Sequence, residues 1–517
     1  MSKVLFEMEK LEILKGDHKI RSRKRVRPLI LALILFSVLI HTNLFVSGEI
    51  YSIEECTTIL VAGNATRDGS ILLAKNRDLS EYEYQWLYRV NRQTHKPGEL
   101  LRLQYIQIPE VSETWGWIGS KSHTKKWGVG MGINEWGVAV ADNDAPTREP
   151  LQGERGLHDN DICRLVLERS RSAREGALLA GKLIEEYGHS YIGQIYWIAD
   201  PEECWIVEGA GRHWAAIRVK DGIVVRANQF QITTYWDEGS EDLVDYAINQ
   251  GWCKSREEFD FARCYSPPDY PYSTSQTRIE RALELLRGIN GTITREDLMR
   301  LLGDHYEGTR MYNTPHNNPN YRTICSKRTV SAMVAELRPN IPLQMQLMWF
   351  CMSTPCTGVF IPVYANTSRI PEPYLTGSGP EEISSYDEGS AWWVFKKLQL
   401  LVDDNYSKLH PKVRSSFDAF YNNVSKQVDQ LEEDLINLFL GKRDNEAQNK
   451  IDIFVEEKLN QGYQLCIRIV KDLLIESEEP EKKENGEDKI FIYVSILVIA
   501  IVIVVSIYLL KMISKYY

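Results

Sequence analysis

The chain has 517 residues, 43% hydrophobic and 26% charged, with a formal net charge of −10. These fractions are those of an ordinary globular protein; they exclude a polytopic membrane protein and a disordered chain, so any membrane content must be local. Residues 1–27 carry a net +5 and the remainder −15, so the bulk of the chain has no basic footprint and a nucleic-acid partner is not expected.

The leader ends in Arg21-Ser22-Arg23-Lys24-Arg25-Val26-Arg27 and is followed, over residues 28–48, by an apolar export segment with Val46-Ser47-Gly48 as a small-residue cleavage site. A basic leader of this length suits a signal anchor as well as a cleaved signal peptide, and both readings stay open. Residues 49–55 then form a short propeptide. From Cys56 the pattern predicts a strand over Thr57 to Ala62, a turn over Asn64 to Gly69 and a returning strand over Ser70 to Ala74, a hairpin that carries Lys75-Asn76-Arg77-Asp78 back beside Cys56.

A second hairpin is predicted from Trp127 to Ala141 around the turn Ile133-Asn134-Glu135-Trp136-Gly137. Ser172-Ala173-Arg174-Glu175 reads as a capping box opening a helix that stops at Gly188. Four short strands follow, near Ile195 to Ala199, Cys204 to Val207, Trp214 to Val219 and Ile223 to Ala227, then helices over Thr277 to Arg287 and from Thr294 to about Leu302. Strand runs interleaved with helix pairs predict a layered α+β domain over residues 56–375 rather than parallel βαβ units. The loops Cys264 to Gln276 and Asp304 to Thr323, rich in Pro, Tyr, Asn and Gly, are candidates for shaping a site.

Residues 376–475 predict a helical region and residues 476–489 a charged stalk. Residues 490–510 contain no charge and predict a transmembrane helix of about 30 Å. The basic leader and the lysines of the 511–517 tail both point to the cytoplasm, so the intervening chain is expected outside a cell membrane.

The nine cysteines are an odd number. In an oxidising exterior eight could pair, with Cys253/Cys264 and Cys351/Cys356 as candidate bridges. No CxxC or HExxH pattern occurs, so the spacing lends no support to a metal site, and no cofactor is expected.

Cleavage immediately before Cys56 would place a thiol nucleophile and a free α-amino base on one residue. A thiol near pKa 8.5 needs help to ionise at neutral pH, and an α-amino group near 8 can take its proton and later return it to a leaving amine. Such a mechanism needs no histidine.

Cys56-Thr57-Thr58-Ile59-Leu60-Val61-Ala62, Asp68-Gly69-Ser70 and Asn76-x-Asp78 together resemble the N-terminal signature of the cysteine-type N-terminal-nucleophile (Ntn) hydrolases of the dipeptidase/secernin family, relatives of bile-salt hydrolases and penicillin V acylases. Further matches lie at Gly132-Ile133-Asn134-Glu135-x-Gly137, Ser172 to Gly176, Glu208 to Trp214 and Ala227-Asn228-Gln229. The resemblance implies a four-layer αββα sandwich with Cys56 as nucleophile, Asp78 orienting its amine and Asn228 donating to the oxyanion. It implies Arg278 as a second positive charge near the nucleophile and Asn143 or Asp144 as another oxyanion or substrate contact. Lys75 stands where the family usually has Arg; it keeps the charge but loses the bidentate fork, and Arg77 is expected to share the role. The activity implied is hydrolysis of amide bonds in short peptides. N-acyl amides or amino-acid conjugates are the alternative substrates, and a non-catalytic surface binding protein is the alternative of another class.

Overall fold

The computed structural model describes residues 55–376 and 387–478. The expected leader, export segment and membrane helix, nearly all of the propeptide and the stalk beyond residue 478 therefore lie outside the described residues. Among the described residues no helix is long and apolar enough to cross a membrane.

In chain order the main elements are β1 (Thr57–Gly63), β2 (Gly69–Asp78), β3 (Gln85–Val90), β4 (Trp117–Ser122), β5 (Met131–Asn134), β6 (Ala139–Ala145), α1 (Asp159–Arg169) and α2 (Ala173–Tyr187). They continue with β7 (Gly193–Ala199), β8 (Cys204–Gly209), β9 (Trp214–Val219), β10 (Gly222–Arg226), β11 (Glu238–Gly239), α3 (Ser273–Arg287) and α4 (Arg295–Leu302). The chain then forms β12 (Thr329–Leu337), β13 (Leu347–Met352), β14 (Ile361–Tyr364), α5 (Ala391–Asp404), α6 (Tyr406–Leu440) and α7 (Asp444–Glu478).

Two antiparallel sheets result, one in the order β10-β1-β2-β12-β13-β14 and one in the order β11-β9-β8-β7-β6-β5-β4-β3. The sheets face one another: Ser120 of β4 and Ser331 of β12 share a hydrogen bond across the gap at 3.1 Å. Helices α1 and α2 cover the second sheet and α3 and α4 the first, giving a helix–sheet–sheet–helix order. The predicted α+β class holds.

A strand buried on both faces needs an unbroken apolar run. β1 supplies one in Ile59, Leu60 and Val61, all fully buried, each side chain contributing roughly 1.5–3 kcal/mol. The predicted hairpin forms, with Thr57 paired to Asn76, but β2 runs to Asp78, so Lys75-Asn76-Arg77-Asp78 is strand rather than the segment after it. In the second hairpin the turn is held by Asn134, whose Oδ1 accepts from the backbone N–H of Trp136 and of Val138, each at 3.0 Å. Trp127 lies ahead of β5, not within it. Ser172 caps α2 by accepting from the Glu175 N–H, while Glu175 turns its carboxylate to the Arg171 N–H, so the box is half made; the one at Thr294 and Asp297 is complete.

Strands β3, β4 and β12 to β14 and helix α1 were not anticipated. The helical region resolves into α5, α6 and α7, which pack on β13 and β14, and α7 continues past residue 475 into the charged stretch read as stalk. None of the nine cysteines forms a disulfide. Cys253 and Cys264 do lie against one another, whereas Cys356, expected beside Cys351, meets Cys325 and the His316 ring.

Candidate active site

Cys56 sits just ahead of β1 and is 1% exposed. The backbone on either side of it is gripped from α3. Arg278 Nη1 donates to the carbonyl of Glu55 at 3.0 Å, to that of Cys56 at 2.8 Å and to Thr57 Oγ1 at 3.0 Å, while Nη2 donates to Asn228 Oδ1 at 3.0 Å. Arg278 is wholly buried, and burial together with the neighbouring Arg322 charge pulls its guanidinium down to about 10. The resemblance expected a second positive charge here; the geometry makes it a clamp on three consecutive residues.

Lys75 reaches from β2 across the gap between the sheets. Its Nζ donates to the Gly130 carbonyl at 3.1 Å and forms an ion pair with Asp142 of β6, both side chains being buried. Burial by itself would push the ammonium down, but the Asp142 carboxylate and the Cys56 sulfur together hold it above the ordinary lysine range. Glycine at 130 also makes room for Arg77, whose guanidinium carbon would lie 2.6 Å from a Cβ there. Arg77, expected to share the thiol-facing role, donates to Gln85 Oε1 at 3.0 Å, Ser120 O at 2.8 Å and Asn160 Oδ1 at 2.6 Å, and so braces the two sheets.

Asp78 is fully buried at the end of β2. Its Oδ2 pairs with Arg322 Nη2 at 2.5 Å and its Oδ1 accepts from Thr329 Oγ1 at 2.5 Å. Arg322 also donates through Nε to the Glu55 carboxylate at 2.6 Å and through Nη2 to the Glu55 carbonyl at 3.1 Å. Two guanidiniums thus converge on the carbonyl that precedes Cys56, and the adjoining Arg322 and Arg278 charges outweigh burial to hold the Glu55 carboxyl below its usual range.

Asn228 follows β10. Its backbone N–H donates to Ser275 Oγ at 3.1 Å, and its Nδ2 to the Asp144 carbonyl at 2.9 Å. Asn143, near the end of β6, accepts at Oδ1 from Trp197 Nε1 at 2.8 Å, and among the described residues no acceptor meets its buried Nδ2. An amide donor left without an acceptor in a buried site is costly unless something else takes its hydrogen bond. Asp144 directs its carboxylate to Gln194 Nε2 at 2.6 Å, and its carbonyl meets Asn228.

The fold thus links Cys56 with Lys75, Asn228 and Arg278, and Asp78 joins the group through Arg322. Asp142 and Arg322 were missed. Asp142 is one residue from the segment singled out after the second hairpin, and Arg322 lies in the loop marked as a candidate for shaping a site. That loop region also gathers His305, His316, Cys325 and Cys356, side chains able to hold a metal ion.

The family model of peptidase family C69 matches residues 55–274 and 270–418. A probable dipeptidase of Latilactobacillus sakei is 24% identical over 398 residues, covering 68% of this chain and 82% of its own length. A probable dipeptidase B of Lactococcus lactis subsp. lactis (strain IL1403) is 24% identical over 424 residues, covering 72% and 87%. Among solved structures, penicillin V acylase from Agrobacterium tumefaciens is similar with a TM-score of 0.32 at 14% identity, covering 60% of this chain and 86% of that one. A mutant conjugated bile acid hydrolase from Clostridium perfringens has a TM-score of 0.33 at 14% identity, covering 60% and 92%. The family match spans the sheets, the Cys56 site and the first C-terminal helix, and with it this chain belongs to peptidase family C69, hydrolases of peptide bonds.

Proposed function

We propose that the protein is a membrane-anchored cysteine dipeptidase whose catalytic domain, residues 56–375, works outside the cell once the chain is cut before Cys56. The observation that carries this reading is the convergence of Arg278 and Arg322 on the Glu55 carbonyl, immediately before a buried cysteine that opens the central hairpin. Two cationic donors polarise that carbonyl and stabilise negative charge on its oxygen. The probable dipeptidases of the two lactic acid bacteria support the choice of dipeptides over N-acyl amides.

In the mature enzyme the Cys56 amine takes the thiol proton, and the Lys75 charge favours the thiolate. The sulfur attacks the scissile carbonyl, forming a C–S bond as the carbonyl π electrons move to oxygen. Side-chain N–H groups of Asn143 and Asn228 hold that oxyanion. Collapse breaks the C–N bond, the amine leaves with the proton from the Cys56 ammonium, and water attacks the thioester to release the acid and restore the thiol. Asp78 orients the Cys56 amine. Anchoring rests on the uncharged 490–510 segment and the basic flanks of the chain, with residues 376–489 as a helical spacer and stalk.

Mass spectrometry of the mature N-terminus, run beside a panel of dipeptides and N-acyl amino acids, tests the proposal. A chain beginning at Cys56 that cleaves dipeptides is the expected result. A mature chain that keeps Glu55 and still cleaves them refutes the N-terminal mechanism, and turnover of N-acyl amino acids alone replaces the substrate class.

A further inference from the structure

Four side chains, three from the connection between α4 and β12 and one from that between β13 and β14, meet in one buried place. They are His305, just after α4; His316, in the long loop that follows; Cys325, just before β12; and Cys356, between β13 and β14. All four residues are buried, and their Nδ1 or Nε2 and Sγ atoms lie within 4.8 Å of one another. His316 Nε2 is 3.1 Å from Cys356 Sγ and 3.7 Å from Cys325 Sγ. The edges of a tetrahedral Cys₂His₂ zinc site are about 3.3–3.8 Å, from Zn–S near 2.3 Å and Zn–N near 2.0–2.1 Å.

The surroundings of both imidazoles select the same ring nitrogen. His316 Nδ1 is bound to Asp403 Oδ1 of α5 at 2.5 Å, and His305 Nδ1 to Glu307 Oε1 at 2.8 Å. A carboxylate on the far nitrogen fixes the tautomer that leaves Nε2 as a lone-pair donor, the arrangement typical of ligating histidines. His305 Nε2 is buried, faces the Cys356 sulfur and makes no hydrogen bond of ordinary geometry to any described residue. A Cys325–Cys356 disulfide would consume both sulfurs and leave two buried imidazole nitrogens without partners. A cysteine–histidine–aspartate relay through Cys356, His316 and Asp403 would leave His305 and Cys325 unexplained. One cation accounts for all four.

We propose that His305, His316, Cys325 and Cys356 form a structural zinc site. With four protein ligands it is closed, leaving no position for substrate, and its role is to staple loops that have little core of their own. It ties the segment after α4, the loop through residue 325, the β13–β14 turn and α5 together. Arg322, which holds Asp78 and Glu55, lies three residues before Cys325, and the intervening Ile324 carbonyl accepts from Asn76 Nδ2 of β2 at 2.9 Å. The metal therefore sets the position of Arg322 without touching the reacting atoms, and the inference stands whether or not Cys56 is the nucleophile.

The test is elemental analysis of the full chain purified in detergent without added metal, with a peptide map under non-reducing conditions. About one zinc per chain is expected, with Cys325 and Cys356 as protected thiols. Cobalt substituted for zinc should give an intense thiolate charge-transfer absorption, and chelation should raise proteolysis within residues 304–323 while leaving the sheets protected. His316→Gln and Cys325→Ser should each lose the zinc and the cobalt absorption. If these variants do not fold, stoichiometry and cobalt spectrum of the unaltered chain decide. A metal-free chain with a Cys325–Cys356 disulfide, a metal-free chain in which Cys356 alkylates readily, or full zinc retention by folded variants would each overturn the proposal.

Discussion

Asp142→Asn removes the counter-ion of a fully buried ammonium. In the native chain the Lys75 side chain is 0% exposed and the Asp142 side chain 4%, so neither charge has water to fall back on. Breaking such a pair from one side costs about 3–5 kcal/mol, and the sign of its pH dependence should reverse. With Asp142 present the folded-state pKa of Lys75 lies above its unfolded value of 10.5, so the contribution of the ammonium is intact from neutral pH up to that value and is lost as pH rises through the folded value, while burial raises the Asp142 carboxyl, whose charge is lost on the acid side. In the variant, burial without a counter-ion depresses the folded-state value, so stability is lost as pH falls through it. Urea denaturation at about pH 7 and about pH 9 measures this: the deficit of the variant should be largest at the lower pH and shrink at the higher one. The same substitution lowers the positive charge beside Cys56, so alkylation of that thiol at neutral pH should slow. An Asp142→Asn chain with unchanged midpoints at both pH values and unchanged alkylation would refute the role assigned to the Lys75–Asp142 pair.

Cys56→Ala should abolish dipeptide cleavage while the chain keeps its cooperative unfolding, and intact-mass analysis should show whether Glu55 remains attached; retained cleavage by the variant would sink the mechanism. Asn143→Ala removes the buried amide whose Nδ2 meets no acceptor among the described residues; kcat/KM should fall by about 10²–10³, or roughly 3–4 kcal/mol, and the melting temperature should fall as well, because the buried Trp197 Nε1 loses its acceptor. His189, buried against the Tyr196 hydroxyl at 3.0 Å, is pushed by burial down to about 4 from 6.5. The unfolded chain thus takes up that proton first on acidification, and about 3 kcal/mol of stability should be lost between pH 6.5 and about 4. A His189→Gln chain should show a correspondingly flatter fall in melting temperature over that window.

The local features of this protein were legible because their physics is local. The hairpin from Cys56 to Asp78, the Asn134 turn, the helix caps at Ser172 and Thr294 and the four strands from β7 to β10 all follow from apolar period and turn chemistry within a few residues. The ordered motifs starting at Cys56 also sufficed to identify the family, whose model matches from residue 55 onward. Strands β3, β4 and β12 to β14 were not read from the pattern. β12 and β13 are buried along their whole length and lack the alternation that marks a half-exposed strand.

What the sequence by itself determined was the identity of the residue to watch and the chemistry its position invites: Cys56, with Asp78, Asn228 and Arg278 as its expected company. Only the tertiary structure decided who else stands there. Asp142 reaches Lys75 across 67 residues and Arg322 reaches Asp78 across 244, while the His305, His316, Cys325 and Cys356 quartet joins the long α4–β12 connection to the β13–β14 connection. Such partners are selected by strand order, register and the stacking of one sheet on another, and a linear spacing carries no record of these. Buried charge then enforces the pairing, because an ammonium or guanidinium removed from water persists only where the fold brings an acceptor to it.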